Sequence, residues 1–202
     1  QVYKYKVQVK LGKEVTLKDV QDVNPDFVVV AAGANPVVIP IPGHEKEMVM
    51  TAVPALLGQR KVGNRVVIIG GGEVGCEMAC EFSTQGKEVT VVELMPDVLM
   101  APSFVANKQN IRYMLEHSGV TVLRGTRTKE ILDDQVLVEH EGEERSISCD
   151  TVIFSTGFRA NHDLYHNILE AGYEVVQIGD NVKPGKVFDA IHQGYHTVRV
   201  YE

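Results

Sequence analysis

The chain has 202 residues, of which 44% are hydrophobic and 23% are charged, and its formal net charge is -7. This composition is that of a globular protein rather than a disordered one, and the acidic balance disfavours a nucleic-acid partner. The apolar runs at residues 27–32 and 66–69 are far shorter than a bilayer span, and the first ten residues are polar. We therefore expect a cytoplasmic protein without a membrane segment.

The first part of the chain predicts short strands followed by a linker. Residues 6–10 and 15–17 alternate apolar and polar side chains, which indicates two short strands, and residues 26–32 indicate a buried one. Residues that interrupt regular structure come next: Asn35, Pro36, Pro40, Pro42 and Gly43.

The middle of the chain predicts a βαβ unit and its extension. Residues 65–69 form an apolar, β-branched run that ends at a glycine, as in a strand buried on both faces of a parallel sheet. Residues 73–85 have helical spacing, and residues 88–93 indicate a second strand. Ser103 is the expected N-cap of a further helix that ends near residue 118, before a third strand at residues 120–123.

Beyond Gly125 the pattern changes to short alternating runs. Residues 135–140 and 145–148, joined by a turn at 141–143, predict an antiparallel meander, and residues 151–155 a last core strand. A strand at residues 175–180 and a helix from 187 to about 198 complete the chain. The expected fold class is α/β: a Rossmann-type parallel sheet with βαβ units and an antiparallel meander.

An internal repeat suggests two dinucleotide domains. Residues 26–33 and 150–157 share an Asp, a run of apolar residues, two small residues and a final glycine. A strand that ends in this way lets a ligand or another chain segment approach the backbone. Only the second copy has a glycine-rich loop before it, at Gly70. Either the chain starts in the middle of a domain, or the first copy has another origin.

The loop at Gly70 has the spacing of a dinucleotide site. Gly70, Gly72 and Gly75, with Glu73 between them, fit GxGxxG between a predicted strand and helix. Glu93 ends the next strand, near the spacing at which a carboxylate meets the adenosine ribose. No arginine stands at residues 94–96 to pair with a 2′-phosphate, so the sequence favours NAD over NADP.

Other candidate sites are weaker. Gly179 and Asp180 place a carboxylate before a helix, which fits either a ligand site or a simple turn with a capped helix. Cys76 and Cys80 lie one helical turn apart and are expected to be buried. Two histidine pairs have i, i+4 spacing without a third ligand, so we predict no metal site: His162 with His166, and His192 with His196.

In combination, the motifs at residues 28–36, 69–77, 91–93, 155–157 and 178–180 resemble a known group of flavoproteins. It is the pyridine nucleotide–disulfide oxidoreductase superfamily, which has two dinucleotide domains. More closely, the chain is similar to the C-terminal part of bacterial NADH:flavin oxidoreductases of the 2,4-dienoyl-CoA reductase and enoate reductase type. In those enzymes an N-terminal barrel carries FMN and a 4Fe-4S cluster, and this region carries FAD and binds NAD(P)H.

The resemblance implies a role for each motif. We expect three segments: residues 1–42 and 159–202 as parts of a truncated FAD-binding domain, and residues 43–158 as the NAD(H)-binding domain. Glu77 would lie near the nicotinamide, and Gly33 and Gly157 would be the glycines where the chain crosses between domains. The residues implied for NAD are Gly70, Gly72, Glu73, Gly75, Glu93 and Gly157, and those implied for FAD are Gly33, Gly179 and Asp180.

The function implied is a hydride relay from NADH to FAD, and onward to FMN, the iron–sulfur centre and an enoate or enoyl-type small-molecule substrate. Stacked rings need orientation rather than an acid or base, so no catalytic residue is named. The glycine loop for FAD, the barrel and a redox CxxC are missing. We therefore expect a fragment that needs the remaining domains, is inactive alone, and binds NADH but little FAD. Two alternatives stay open: a non-catalytic nucleotide-binding module, and an NADH-dependent reductase of a carrier protein such as rubredoxin.

Overall fold

A computed structural model describes residues 4–201, so residues 1–3 of the expected first segment lie outside it. The chain divides into two compact units, one formed by residues 36–158 and one by residues 4–35 with 159–201. The helices are α1 (Leu17–Val23), α2 (Ala52–Leu56), α3 (Glu73–Thr84), α4 (Val105–His117), α5 (Asp163–Glu170) and α6 (Val187–Val200). The strands are β1 (Val28–Val30), β2 (Ala34–Pro36), β3 (Val49–Thr51), β4 (Arg65–Ile69), β5 (Glu88–Val92), β6 (Thr121–Leu123), β7 (Thr126–Ile131), β8 (Gln135–His140), β9 (Glu143–Ser148), β10 (Thr151–Phe154), β11 (Phe158–Ala160) and β12 (Val175–Gln177).

A parallel five-stranded sheet forms the centre of the unit of residues 36–158. Its strand order is β3-β10-β4-β5-β6, and every neighbouring pair is parallel. Alternate residues of β4 point to opposite faces, so Val66 and Ile68 pack with α2 and α3 while Val67 and Ile69 pack towards the meander. Burial on both faces explains why β4 and β10 are apolar throughout.

The meander consists of β7, β8 and β9, paired antiparallel in that order. Glu141 and Gly142 form the turn between β8 and β9, both with positive φ. The third strand of the meander therefore begins at Glu143, two residues before its expected start. The strand β7 was not identified from the sequence, because a β-bulge between Thr128 and Glu130 interrupts its alternation.

In the other unit β1 pairs in parallel with β12, and Val20, Val30 and Ile168 form a small core. The two strands expected at residues 6–10 and 15–17 are wrong. Thr16 instead caps α1: its backbone N–H donates to Asp19 Oδ2 at 2.9 Å, and the Asp19 N–H donates back to Thr16 Oγ1. This capping box satisfies backbone donors that an isolated short strand would leave unpaired.

Two further expectations need correction. Residues 36–42 pack with the sheet rather than with the flanking segment, since Pro42 O accepts from Ile131 N and Ile41 contacts the core beneath the meander. The boundary between the units therefore lies at residue 35/36 instead of 42/43. Ser103 does not cap α4, because the N-cap position is Phe104. Within residues 4–201, the buried Ser103 Oγ has no hydrogen-bond partner.

Each copy of the internal repeat forms a strand that pairs in parallel with a neighbouring strand. The first copy forms β1 and the second forms β10, and each is followed by a glycine in the left-handed region: φ is +70° at Gly33 and +91° at Gly157. Such φ values favour glycine over other residues. No helix in the described part of the chain is long and apolar enough to cross a membrane.

Candidate functional site

The Gly70 loop follows β4 at the carboxyl edge of the parallel sheet, and two of its glycines are required by packing. A Cβ on Gly70, whose φ is +111°, would lie 2.4 Å from the carbonyl oxygen of Ser155. A Cβ on Gly75 would lie 2.1 Å from the carbonyl oxygen of Gly70. The loop, the end of β10 and the first turn of α3 therefore approach each other as closely as backbone allows.

The third glycine of the motif lies in open space. Gly72 is the N-cap residue of α3, and a Cβ there would meet no atom within 4 Å. As a glycine it has no side chain that could cap the helix. Glu73 begins the helix, and Asn107 Nδ2 lies 3.5 Å from its Oε2. A helix N-terminus that follows a glycine with open space in front of it suits a phosphate group.

Glu93 is fixed to the loop by its carboxylate. Gly71 N–H donates to Glu93 Oε2 at 2.6 Å, and Met95 N–H donates to Glu93 Oε1 at 2.7 Å. Each oxygen still has a lone pair for a hydroxyl group. The carboxylate that the sequence singled out therefore lies directly beside the glycine loop.

Three charged residues near this loop were not found from the sequence. Asp97 Oδ2 accepts from Arg112 Nη2 at 2.9 Å, and Asp97 Oδ1 accepts from Arg124 Nε at 2.9 Å. The Arg112 guanidinium holds the pKa of Asp97 at about 2, with Val98 N–H and Arg124 adding to the effect against the opposing influence of burial. Arg112 and Arg124 come 15 and 27 residues after Asp97, so no local motif could have revealed the cluster.

The buried thiol of Cys76 contacts the backbone of the glycine loop. Its Sγ donates to Gly71 O at 3.4 Å, and burial raises its pKa to about 12. Cys80 and Cys149 are also buried and free, and burial raises the pKa of each. The expectation that Cys76 and Cys80 are buried is confirmed. A protonated, buried thiol is a packing group rather than a nucleophile.

Gly157 and Glu77, the remaining residues of the proposed NAD set, lie at different places in the same unit. Gly157 is exposed just after β10, and its carbonyl oxygen accepts from Val37 N–H at 2.9 Å. Glu77 is exposed on α3, one turn beyond Glu73.

The residues expected at FAD belong to the other unit. Asp180 follows β12 in a short 3₁₀ turn (Gly179–Asn181), and its Oδ1 accepts from Gly185 N–H at 3.0 Å. This contact brings the carboxylate close to the start of α6 at Val187. Gly179 N–H donates to Gln193 Oε1 at 2.6 Å, and Gly33 O accepts from Asn161 N–H at 3.2 Å.

Asn181 is a buried polar residue in this turn that the sequence did not single out. Its Nδ2 donates to Asn161 O. Among residues 4–201 its Oδ1 has no partner. Asn161 N–H also donates to Gly33 O. Hydrogen bonds through Gly33, Asn161 and Asn181 therefore link the segment after β1, the segment after β11 and the turn that carries Asp180.

The histidine pairs make other contacts. The rings of His162 and His166 are 6.0 Å apart, and His162 Nδ1 hydrogen-bonds Gln177 Oε1 at 2.9 Å. In the described range 4–201, no group of three or more His, Cys, Asp or Glu side chains is arranged to hold a metal ion.

Comparison with known proteins decides the family. A family model described as "Pyridine nucleotide-disulphide oxidoreductase" matches residues 1–182. The chain belongs to this family. The resemblance drawn from the sequence motifs is thereby confirmed, and so is the α/β fold class. Membership of the pyridine nucleotide-disulphide oxidoreductase family makes the chain a flavin- and NAD(P)H-linked oxidoreductase domain.

Individual relatives of this family are similar over nearly the whole chain. A cinnamate reductase of Clostridium sporogenes is 30% identical over 96% of the chain and 29% of its own length. An NADH oxidase of Thermoanaerobacter brockii is 30% identical over 94% of the chain and 30% of its own length. The solved structure of a 2-naphthoyl-CoA reductase complex has a TM-score of 0.88 and 30% identity, covering 96% of the chain and 30% of that protein. The chain thus spans about a third of the length of these relatives.

Proposed function

We propose that the chain binds NADH at the Gly70 loop and delivers its hydride to FAD held in the same protein. The observation that carries the proposal is the contact between Glu93 and the Gly71 amide, at 2.6 Å. It joins the two parts of a dinucleotide site, the phosphate-binding loop and the ribose-binding carboxylate, although they are 22 residues apart.

The geometry of the loop supports a bound pyrophosphate. The space in front of Gly72 is open, whereas Gly70 and Gly75 are tightly packed. The open position would let the pyrophosphate reach the first amides of α3, and the Glu93 carboxylate would accept a hydrogen bond from a ribose hydroxyl. NADH is favoured over NADPH because a 2′-phosphate would meet this carboxylate.

FAD is proposed to bind at the other unit through Gly33, Gly179 and Asp180. Asp180 Oδ1 accepts from Gly185 N–H, which leaves the second carboxylate oxygen for a sugar-alcohol hydroxyl such as that of the ribitol. The bound flavin supplies the ring that accepts a hydride. The chain's task is then to hold two rings in the correct orientation, with Glu77 proposed near the nicotinamide, and this needs no protein acid or base.

We further propose that the chain works within a larger protein. Its relatives are about three times as long, and two of them are named for the reduction of cinnamate and of 2-naphthoyl-CoA. Their names support an enoate or enoyl-type small-molecule acceptor. On this proposal the partners of the chain are further domains that hold FMN and a 4Fe-4S cluster, and the chain alone is inactive.

The test is anaerobic mixing of the FAD-loaded full-length protein with NADH while the visible absorbance of the flavin is followed. We expect rapid bleaching, slower bleaching with NADPH, and return of the absorbance when an enoate such as cinnamate is added. Saturable NADH binding without bleaching would contradict the proposal and favour a non-catalytic nucleotide-binding module. Reoxidation by rubredoxin but not by enoates would contradict the proposed acceptor alone.

A further inference from the structure

Two arginines, Arg112 and Arg124, meet at Asp97, four residues after Glu93. Arg124 comes directly after β6, between residues that hydrogen-bond to the Glu93 segment on both sides. Leu123 O accepts from Glu93 N–H at 2.8 Å, and Gly125 N–H donates to Met95 O at 2.8 Å. Val92 pairs with Leu123 in the sheet, so Arg124 and Glu93 are the residues that directly follow this pair on the two neighbouring strands.

The Arg124 side chain is held by Asp97 through a single contact. Its Nε donates to Asp97 Oδ1, and the side chain is 50% exposed. Within the described part of the chain, the two terminal amino groups of Arg124 make no hydrogen bond, so they can bind another acceptor. Arg112 is held more firmly, since it donates to both Asp97 oxygens and to Val98 O.

The segment that contains Asp97 is tied to the glycine loop. Leu99 N–H donates to Gly71 O at 2.8 Å, and a Cβ on Gly71 would lie 2.6 Å from the Val98 side chain. Gly71 also donates to Glu93. Asp97 and Arg124 are thus built into the same rim of the loop as the carboxylate proposed to bind the ribose.

We propose that Asp97 is a second determinant of nucleotide choice, because it neutralises and restrains Arg124 beside the ribose 2′ position. This inference rests on the proposed NADH site. With Glu93, Asp97, Arg112 and Arg124 all charged, the rim carries two negative and two positive charges and offers no surplus for a 2′-phosphate. Removing the Asp97 charge leaves one surplus positive charge and weakens the hold on Arg124, since a hydrogen bond to a neutral oxygen is weaker than one to a carboxylate.

The variant Asp97→Asn tests this with little disturbance of the loop. An asparagine oxygen can still accept from Val98 N–H, which donates to Asp97 Oδ1 at 2.8 Å. The full-length protein is titrated with NADH and NADPH by fluorescence, and the ratio of the two dissociation constants is compared with that of the wild type. We expect the ratio of the NADPH to the NADH constant to fall roughly tenfold, the size expected for one charge near a partly exposed dianion.

Two further variants make the result specific. The double variant Asp97→Asn with Arg124→Ala is expected to return the ratio to the wild-type value, because the guanidinium that would bind the phosphate is gone. Asp133→Asn is the matched control: Asp133 pairs with Lys46 at 2.6 Å on the exposed surface, and its loss removes the same charge without changing the ratio.

An unchanged ratio in Asp97→Asn would overturn the inference while leaving the proposed NADH site intact, provided that the wild type binds NADH. A lowered ratio that persists in the double variant would also overturn it, because Arg124 would then play no part. Failure of the wild-type protein to bind either nucleotide would contradict the proposed function, and with it this inference.

Discussion

Replacing Gly75 with alanine should destabilise the protein through one steric contact. The added Cβ would lie 2.1 Å from Gly70 O and 3.2 Å from Ser155 Oγ. The nearest atom is backbone, so no rotamer change can relieve the contact, and α3 must move away from β4. Overpacking of this kind costs roughly 1–3 kcal/mol or more, whereas alanine gains about 1 kcal/mol over glycine in a helix. We place the net loss at about 2 kcal/mol, since backbone must shift.

The assay is thermal unfolding followed by circular dichroism. A loss of about 2 kcal/mol corresponds to a fall of roughly 4–8 °C in Tm for a domain of this size. The matched control is Gly72→Ser, three residues earlier in the same loop. Its Cβ meets no atom within 4 Å, and serine is a favoured N-cap residue, so we expect its Tm to be unchanged or slightly raised.

A wild-type melting temperature for Gly75→Ala would refute this prediction, because α3 and the Gly70 loop would then be loosely packed. Equal destabilisation by the two variants would also refute it, since only one of the two positions is sterically closed.

Three other outcomes follow from the contacts around the loop. Glu93→Gln replaces one of two oxygens that accept backbone amides with an NH₂ group, so we expect urea denaturation to show a loss of about 1–3 kcal/mol; an unchanged midpoint would show that these contacts contribute little. Because burial raises the pKa of Cys76 to about 12 and of Cys149 to about 11, a thiol reagent at neutral pH should label no cysteine of the native protein and all three in urea; rapid native labelling would contradict this. The pKa of Asp97 falls from 3.8 to about 2 on folding, so its stabilisation is complete above pH 3.8 and lost as the pH falls through 2. Acid titration of wild type and Asp97→Asn should converge over that window, and a constant difference would count against it.

The parallel sheet around the Gly70 loop could be predicted from the sequence because its signals are local. The apolar run before Gly70 gives a strand buried on both faces, and residues 73–84 give a helix of regular period. Glycines at fixed spacing mark the turn between them. In this stretch propensity, burial and turn chemistry all indicate the same structure, so the bounds of β4, α3 and β5 were close to those observed.

The first twenty residues show where this reasoning fails. Alternation at residues 15–17 indicated a strand, but Thr16 and Asp19 form a capping box that begins α1. The side chains that determine the structure there, Thr16 and Asp19, are polar. A search for periodic apolar residues therefore does not detect them. A search for Thr or Ser followed three residues later by an acidic residue would have found the helix start.

The rim of the proposed dinucleotide site could not be predicted from the sequence for a different reason. Asp97 lies in the segment after β5, Arg112 lies in α4, and Arg124 directly follows β6. They meet only because β5 and β6 are neighbours in the sheet and α4 connects them. The residues directly after Glu93 include no arginine, whereas the fold brings one in from the segment that follows the neighbouring strand.

We propose above that residues 70–93 form a working NADH site. The most direct measurement is a fluorescence titration of the purified protein with NADH, carried out on the wild type and on Gly72→Ser. We expect saturable binding by the wild type and affinity weaker by roughly tenfold or more in the variant, because the added side chain fills the space proposed for the pyrophosphate while the fold is retained. Equal affinity in the two proteins, or no saturation with the wild type, would contradict it.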